Sequence, residues 1–331
     1  MFEACVIRGR RLAPARFCAP LAGYTHSAFR RLVADWGGHG ALWTEMLAAR
    51  QLRSENFRAS PWLRRRAAEG LVFYQLMARD GDPLDRILAH LAEHGVEALD
   101  LNLACDARTA RACAAGSALF DHLPALRGVV SAARRHRPGL LTAKIRLGHE
   151  GAAWRARFVE RLHLLEAEGV DAVVLHPRFF EEKFKRRARL ELLPWVASLT
   201  SLPLIANGDI TGPDFVRAHA PHLQAAAGIM LGRMAVVQPW IFGVWDHPAG
   251  VDLAAVWNRM HDYAAEDFPP AVALRRLQMF TKYFAANFKF GHQFYVAIAN
   301  AASLGEARQR AGEFFSNSPA LVGQPTVGLI C

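Results

Sequence analysis

The stretch Leu99–Leu119, L-D-L-N-L-A-C-D-A-R-T-A-R-A-C-A-A-G-S-A-L, decides the architecture. Leu99, Leu101 and Leu103 alternate with Asp100 and Asn102, and period two sends the two sets to opposite faces of a strand. An exposed strand would show the same pattern, with its polar set facing water. The residues after the strand point elsewhere. Cys105 stands just past it, and then come small and basic residues and the run A-A-G-S-A, where backbone can approach a ligand closely. The C-terminal end of a strand is where α/β folds keep their chemistry. A lone cysteine there reads either as a buried inert thiol or as a reacting group, and this stretch alone favours the inert thiol, the commoner fate of a lone cysteine.

The same unit recurs. A-E-H-G-V-E-A-L-D-L-N (92–102) parallels E-A-E-G-V-D-A-V-V-L-H (166–176): a helix end, a glycine and an apolar strand ending in a polar residue. Before the first copy, Leu84, Ile87, Leu88 and Leu91 recur at helical spacing. Apolar strands are read at 17–20, 41–46, 71–76, 99–103, 140–147, 173–176, 203–210 and 228–233. Repeated βα units mean a parallel sheet or barrel. The expected fold is α/β, a (β/α)8 TIM barrel over residues 1–244, followed by a small C-terminal α-helical domain over 245–331. In that second part Ala273, Leu277, Phe280, Phe284 and Phe288 form a core stripe, with Arg275, Lys282 and Lys289 on another face. Thr25 or Ser27 is expected to cap the first helix, which turns Phe29 and Leu32 inward.

Several polar positions sit where such a barrel would place them inside. Gln75 shares the parity of Phe73 at the end of its strand, and a buried amide needs a partner. Thr142, Lys144 and Arg146 share one parity, and two inward cations imply either a buried salt-bridge cluster or an anionic ligand. Small residues after strands seven and eight, Asn207-Gly208-Asp209 and Gly232-Arg233, form the usual phosphate site of this barrel class. In F-F-E-E-K-F-K-R-R-A-R (179–189), basic residues alternate with Phe179, Phe180 and Phe184. That pattern fits phosphate and unpaired bases, and equally a charged helix packing three phenylalanines. The run Arg64-Arg65-Arg66 reads as a solvated face.

The chain has 331 residues, 52% hydrophobic, ample for a large core. Its net charge is +10. Basic and acidic side chains balance over 241–331, seven of each, so the excess lies in 1–240 and favours a polyanionic partner. No apolar run is long enough to cross a membrane. The N-terminus carries an early acid and no signal-peptide core. Five cysteines without paired spacing suggest reduced thiols, and no His/Cys cluster has metal-ligand spacing. The expectation is a soluble, cytoplasmic monomer without a metal.

Asn102-Leu103-Ala104-Cys105-Asp106, with Gly116-Ser117-Ala118-Leu119 downstream, resembles the N-x-G-C-P…G-A-x-L-L signature of the tRNA-dihydrouridine synthases, FMN enzymes that reduce uridines in tRNA. Ala104 and Asp106 depart from the usual Gly and Pro. The resemblance extends over most of 13–242 and more weakly into the tail. A-P-L-A-G-Y-T-H-S-A-F-R (19–30) is similar to the family's entry loop, whose backbone at Pro20, Leu21 and Ala22 would touch the flavin. T-E-M (44–46), Q-L at Gln75, K-I-R-L-G (144–148), H-P-R (176–178), I-A-N-G-D-I and M-L-G-R match further segments.

The resemblance implies FMN held by these loop residues together with Gln75, Lys144, His176, Asn207, Gly208, Asp209, Gly232 and Arg233. NADPH would reload the flavin, and Cys105 would act as the acid. It implies tRNA contacts from Glu45, Asn102, Arg146, Arg178, Lys183, Lys185, Arg186, Arg187, Arg275 and Lys282. Asp106 beside the thiol disfavours thiolate, while Lys144 and Arg146 push the other way. Two alternatives remain at this point. One is an FMN barrel acting on a free small molecule, as dihydroorotate or dihydropyrimidine dehydrogenases do. The other is a non-catalytic relative that binds flavin or RNA.

Overall fold

The computed structural model describes residues 1–53, 55–136, 139–247 and 249–327. Eight strands run in chain order: β1 Arg16–Cys18, β2 Ala41–Trp43, β3 Val72–Met77, β4 Ala98–Asn102, β5 Leu140–Arg146, β6 Ala172–His176, β7 Leu204–Asn207 and β8 Gly228–Leu231. Each pairs in parallel with the next, and β8 pairs with β1, so the sheet closes into a barrel. A two-residue strand, Leu47–Ala48, pairs in parallel with the C-terminal end of β3. Closure explains why β4, β5 and β6 are buried on both faces. Their leucines and valines meet the helical ring while alternate residues fill the interior.

The expected helix is Leu84–Glu93, and it buries Leu84, Ile87, Leu88 and Leu91. The repeated unit is real: Gly95 and Gly169, at φ 68° and 86°, follow two helix ends and lead into β4 and β6. An N-terminal hairpin, Cys5–Ile7 with Arg10–Leu12, covers the opposite end of the barrel. Arg10 pairs with Glu97 at 2.7 Å just before β4, and Arg8 with Asp171 at 3.3 Å just before β6.

The C-terminal region is helical, with helices Leu253–Asp267, Pro270–Phe284, Gly291–Ala299 and Leu304–Ser316. Ala273, Leu277, Phe280 and Phe284 form the expected buried stripe. Phe288 is buried too, but outside that helix, because a 3₁₀ turn, Ala285–Asn287, intervenes. Asn287 Nδ2 donates to the Phe284 and Val237 carbonyls, satisfying groups the helix end leaves open. Lys289 therefore does not share a helix face with Arg275 and Lys282.

Two local expectations need correction. Neither Thr25 nor Ser27 caps the helix Ser27–Ala34, whose N-cap residue is His26. The Thr25 hydroxyl instead accepts from Leu21 N–H at 3.0 Å, and the Ser27 hydroxyl donates to Asp267. Arg64 and Arg66 are not a merely solvated face, since both bond the fully buried Asp267 carboxylate at 2.8 Å. They tie the loop before β3 to the end of the helix Leu253–Asp267.

Candidate active site

A chain of hydrogen bonds lines the barrel interior below the C-terminal ends of β3, β4 and β5. Thr142 Oγ1 donates to Asp100 Oδ1 at 2.7 Å, and Gln75 Nε2 donates to Asp100 Oδ2 at 2.6 Å. Asn102 Nδ2 donates to Gln75 Oε1 at 2.8 Å. The register sets this order, since Gln75 lies opposite Asp100 and Asp100 opposite Thr142. Burial raises the Asp100 carboxyl to about 6, against the pull of its two hydrogen bonds and of Lys144. The partner that the Gln75 amide requires is thus supplied first by the protein itself.

Asn102 ends this chain and begins the next feature. Its Oδ1 accepts from the backbone N–H of Ala104 at 3.1 Å and of Cys105 at 2.9 Å, so one side chain fixes the turn carrying the thiol. Ser117 N–H donates to the Cys105 carbonyl at 2.9 Å. Gly116 makes that approach possible: its φ is 62°, and a Cβ there would lie 2.4 Å from the Cys105 carbonyl oxygen. Cys105 is partly exposed and forms no disulfide. The Asp106 carboxylate has its own partners, Ser117 Oγ at 2.8 Å and Arg111 Nε at 3.5 Å.

Lys144 and Arg146 lie on the next strand, each 8% exposed. Neither has a carboxylate within ion-pair distance among the described residues. Burial, then the Arg146 charge, lowers Lys144 to about 8, with Asp100 and Cys105 pushing back. Burial and the nearby Arg178 likewise lower Arg146. These are not the members of a buried salt-bridge cluster.

Beyond them, Arg178 forms a two-pronged pair with Asp209 at 2.6 and 2.7 Å and donates to His176 Nε2 at 2.6 Å and to the Arg186 carbonyl at 2.6 Å. Burial and four surrounding cations hold the His176 imidazole well below its ordinary value, so it is neutral and accepts. Arg233 adds a 3.7 Å contact to Asp209. The carboxylate in the β7 loop is therefore neutralised on two sides and does not repel an anion.

These groups surround one cleft of about 650 Å³ at the C-terminal ends of the strands. Ala19, Pro20, Leu21, Ala22, Met230 and Met234 give it an apolar wall, and Gly208 and Gly232 bring bare backbone to it. At Gly208, with φ 119°, a Cβ would lie 2.8 Å from both Ala188 Cβ and His176 Cδ2. Phe184 stands at the mouth, 54% exposed. The guanidinium groups of Arg146 and Arg233 lie 5.4 and 4.9 Å from its ring centre. An apolar slot with two cations that lack carboxylate partners, and with two glycine loops, suits a flat heteroaromatic ring bearing a phosphate.

Pro20, Leu21, Ala22, Gln75, Lys144, His176, Asn207, Gly208, Asp209, Gly232 and Arg233 all line the cleft, with Cys105, Asn102, Arg146, Arg178 and Lys183. Glu45 does not. It is buried, and it accepts from Gly23 N–H at 2.6 Å. Lys185, Arg186 and Arg187 are exposed outside the cleft, in a bend and irregular chain rather than a helix. Arg275 is exposed and Lys282 half-buried on the helix Pro270–Phe284, again outside it. Sequence reading missed Met46, Arg108 and Arg111, which line the cleft. The two arginines stand three residues apart just past the thiol, and that spacing was their signal. Among the described residues no cluster suits a metal ion, and no helix is long and apolar enough to cross a membrane.

Fold and site together define a (β/α)8-barrel enzyme with a thiol and buried cations at the strand ends. The family model for dihydrouridine synthase matches residues 17–302, and the chain belongs to that family of oxidoreductases. It is similar to tRNA-dihydrouridine synthase B of Proteus vulgaris, 33% identical over 231 residues covering 69% of this chain and 70% of that one. A probable tRNA-dihydrouridine synthase of Rhodobacter capsulatus is also 33% identical, over 239 residues and 70% of each chain. In fold alone it resembles the old yellow enzyme from Trypanosoma cruzi, at a TM-score of 0.53 and 9% identity, covering 76% of this chain and 93% of that one.

Proposed function

We propose that this protein reduces uridine in tRNA to 5,6-dihydrouridine, with FMN as its cofactor and NADPH as the reductant. The observation that carries the reading is the pair Lys144 and Arg146, buried without carboxylate partners in a cleft that also holds Cys105. The names of the relatives supply the substrate class. Pro20, Leu21, Ala22 and Gln75 would border the flavin ring. Asn207, Gly208, Asp209, Gly232 and Arg233 would meet its phosphate, and Lys144 and His176 would lie between. When bound, the flavin supplies the hydride for one carbon of the uracil 5,6 double bond.

Cys105 delivers the proton to the other carbon, and Asn102 holds the turn that positions it. The target base must leave its stack to enter the cleft, and Phe184 offers it a surface at the mouth. Arg146 and Lys183 meet the incoming nucleotide, while Arg178 braces the loop that carries Asp209. Lys185, Arg186 and Arg187 grip backbone phosphates, joined by Arg275 and Lys282 from a helical domain over 245–331.

The test is purification with and without added FMN, followed by mass spectrometry of tRNA from cells with and without the protein. The expected results are a yellow protein with extractable FMN and a dihydrouridine present only in the first tRNA. A protein that takes up no flavin overturns the reading. So does one that reduces a free pyrimidine and no RNA.

A further inference from the structure

A second pocket, of about 220 Å³, adjoins the cleft and shares Met46 with it. It opens where the loop after β2 meets the segment before β3. Glu45, Leu47, Leu52, Glu55, Trp62 and Leu63 contribute to its walls. Glu45 is 6% exposed. One of its oxygens accepts from Gly23 N–H, and the other, Oε1, is buried with no donor. No cation lies within ion-pair distance of it among the described residues. A buried carboxylate oxygen left without a donor is costly, and burial raises this carboxyl accordingly. A ligand that brings an N–H would remove that cost.

We propose that this pocket takes the base of the nucleotide next to the target uridine, and that Glu45 favours a base presenting an amino group. The proposal rests on the tRNA reading of the main cleft. Three features select this occupant. The pocket is a third the size of the cleft and adjoins it, as the next base along a single strand requires. Its two acids, Glu45 and Glu55, disfavour a phosphate and suit an amino edge. Its apolar side includes Trp62, which is braced edge-to-face against Phe268 with ring centres 6.0 Å apart, and stacking on an indole tolerates any base. Glu45 therefore contacts RNA as the sequence suggests, but at a neighbour of the reacting base.

The experiment is single-turnover reoxidation of the reduced, FMN-loaded full chain by tRNA transcripts. At each position flanking the target uridine, adenosine is compared with purine riboside, which lacks only the amino group. With the parent protein, removing the amino group on one side should slow reoxidation or weaken binding by about tenfold, as for one hydrogen bond to a charged group. Glu45→Met should erase that preference, and Trp62→Ala should weaken both transcripts alike. Glu45→Gln keeps an acceptor for Gly23 and should narrow the preference without erasing it.

Equal use of both transcripts by the parent overturns the subsite, and this comparison needs no variant to fold. An equal loss on both transcripts in Glu45→Met also overturns it, because Glu45 then only braces the Gly23 loop. A parent that reduces a free pyrimidine but no transcript shows instead that the tRNA reading has failed, and the subsite falls with it.

Discussion

The floor of the cleft and its rim are built from opposite materials. On the floor, Thr142, Asp100, Gln75, Asn102 and the Cys105 turn form a continuous hydrogen-bonded chain, and each member fixes the next. At the rim, Lys183, Lys185, Arg186 and Arg187 stand exposed in a turn and the irregular chain after it, while Phe179 and Phe180 anchor the segment in the core. Precision belongs to the first arrangement, where low exposure makes each bond strong and each loss costly. Reach belongs to the second, where charges act at a distance and are screened by salt. Substitutions on the floor should therefore act on chemistry or folding, and those on the rim on binding alone.

The largest separation is expected at Cys105. Cys105→Ala removes a thiol from a turn held by backbone and Asn102, so FMN binding, tRNA binding and flavin reduction by NADPH should persist. Dihydrouridine formation should fall about a hundredfold or more, the usual contribution of a positioned general acid. Single-turnover reoxidation with tRNA measures it. Reoxidation at the parent rate would remove Cys105 from proton delivery.

Gly116→Ala probes the floor's geometry without touching a reacting group. The new Cβ meets the Cys105 carbonyl at 2.4 Å in a left-handed backbone. A loss of about 2 kcal/mol in stability is expected, more than an unstrained glycine exchange would produce. Urea unfolding reads it. An unchanged midpoint would mean that the turn relaxes freely and is not a rigid element of the floor.

At the rim, changing Lys185, Arg186 and Arg187 together to Gln should weaken tRNA binding about tenfold at moderate salt. The slope of log affinity against log salt should fall by about two, since each phosphate contact on a single strand contributes about 0.7. Flavin reduction should not change. Arg186 also contacts Glu182 at 3.6 Å, so its share is expected to be smaller than that of its neighbours. An unaltered salt slope would leave the segment as a solvated edge.

The same contrast explains what sequence reading reaches. Strand positions follow from apolar runs, and the polar ends of β4 to β7, with Gln75 in β3, mark the cleft because they interrupt those runs. Partners far apart in the chain leave no local trace. Arg64 and Arg66 look solvated until Asp267, about two hundred residues away, is brought beside them. Ser27 looks like a cap until the same carboxylate claims its hydroxyl. Phe288 fits the helical period, yet Asn287 turns the chain before it. Glu45 is legible as a polar residue just past a strand, but its place in the adjoining pocket rather than the cleft goes with its bond to the Gly23 backbone, which no local pattern announces.

Lys144 joins floor and rim, since it is buried like the one and charged like the other, and pH separates its two characters. Burial first, then Arg146, lowers its folded value from 10.5 to about 8. For a base whose folded value is depressed, the unfolded chain holds its proton through the window between those values while the folded protein releases it. Stability of the ligand-free protein should therefore rise with pH across that window, because a buried charge is relieved. Affinity for an anion should move the other way, since the charge that attracts it is lost. Across about pH 7 to about 9.5, FMN binding should weaken about fivefold, somewhat under the tenfold that one pKa unit represents. Fluorescence titration of FMN at each pH measures the affinity, and thermal unfolding without FMN measures the stability. Lys144→Met should bind FMN more weakly at neutral pH and show neither trend. Parent affinity that stays flat while stability rises would place Lys144 on the floor but away from the anion, and would leave that role to Arg233.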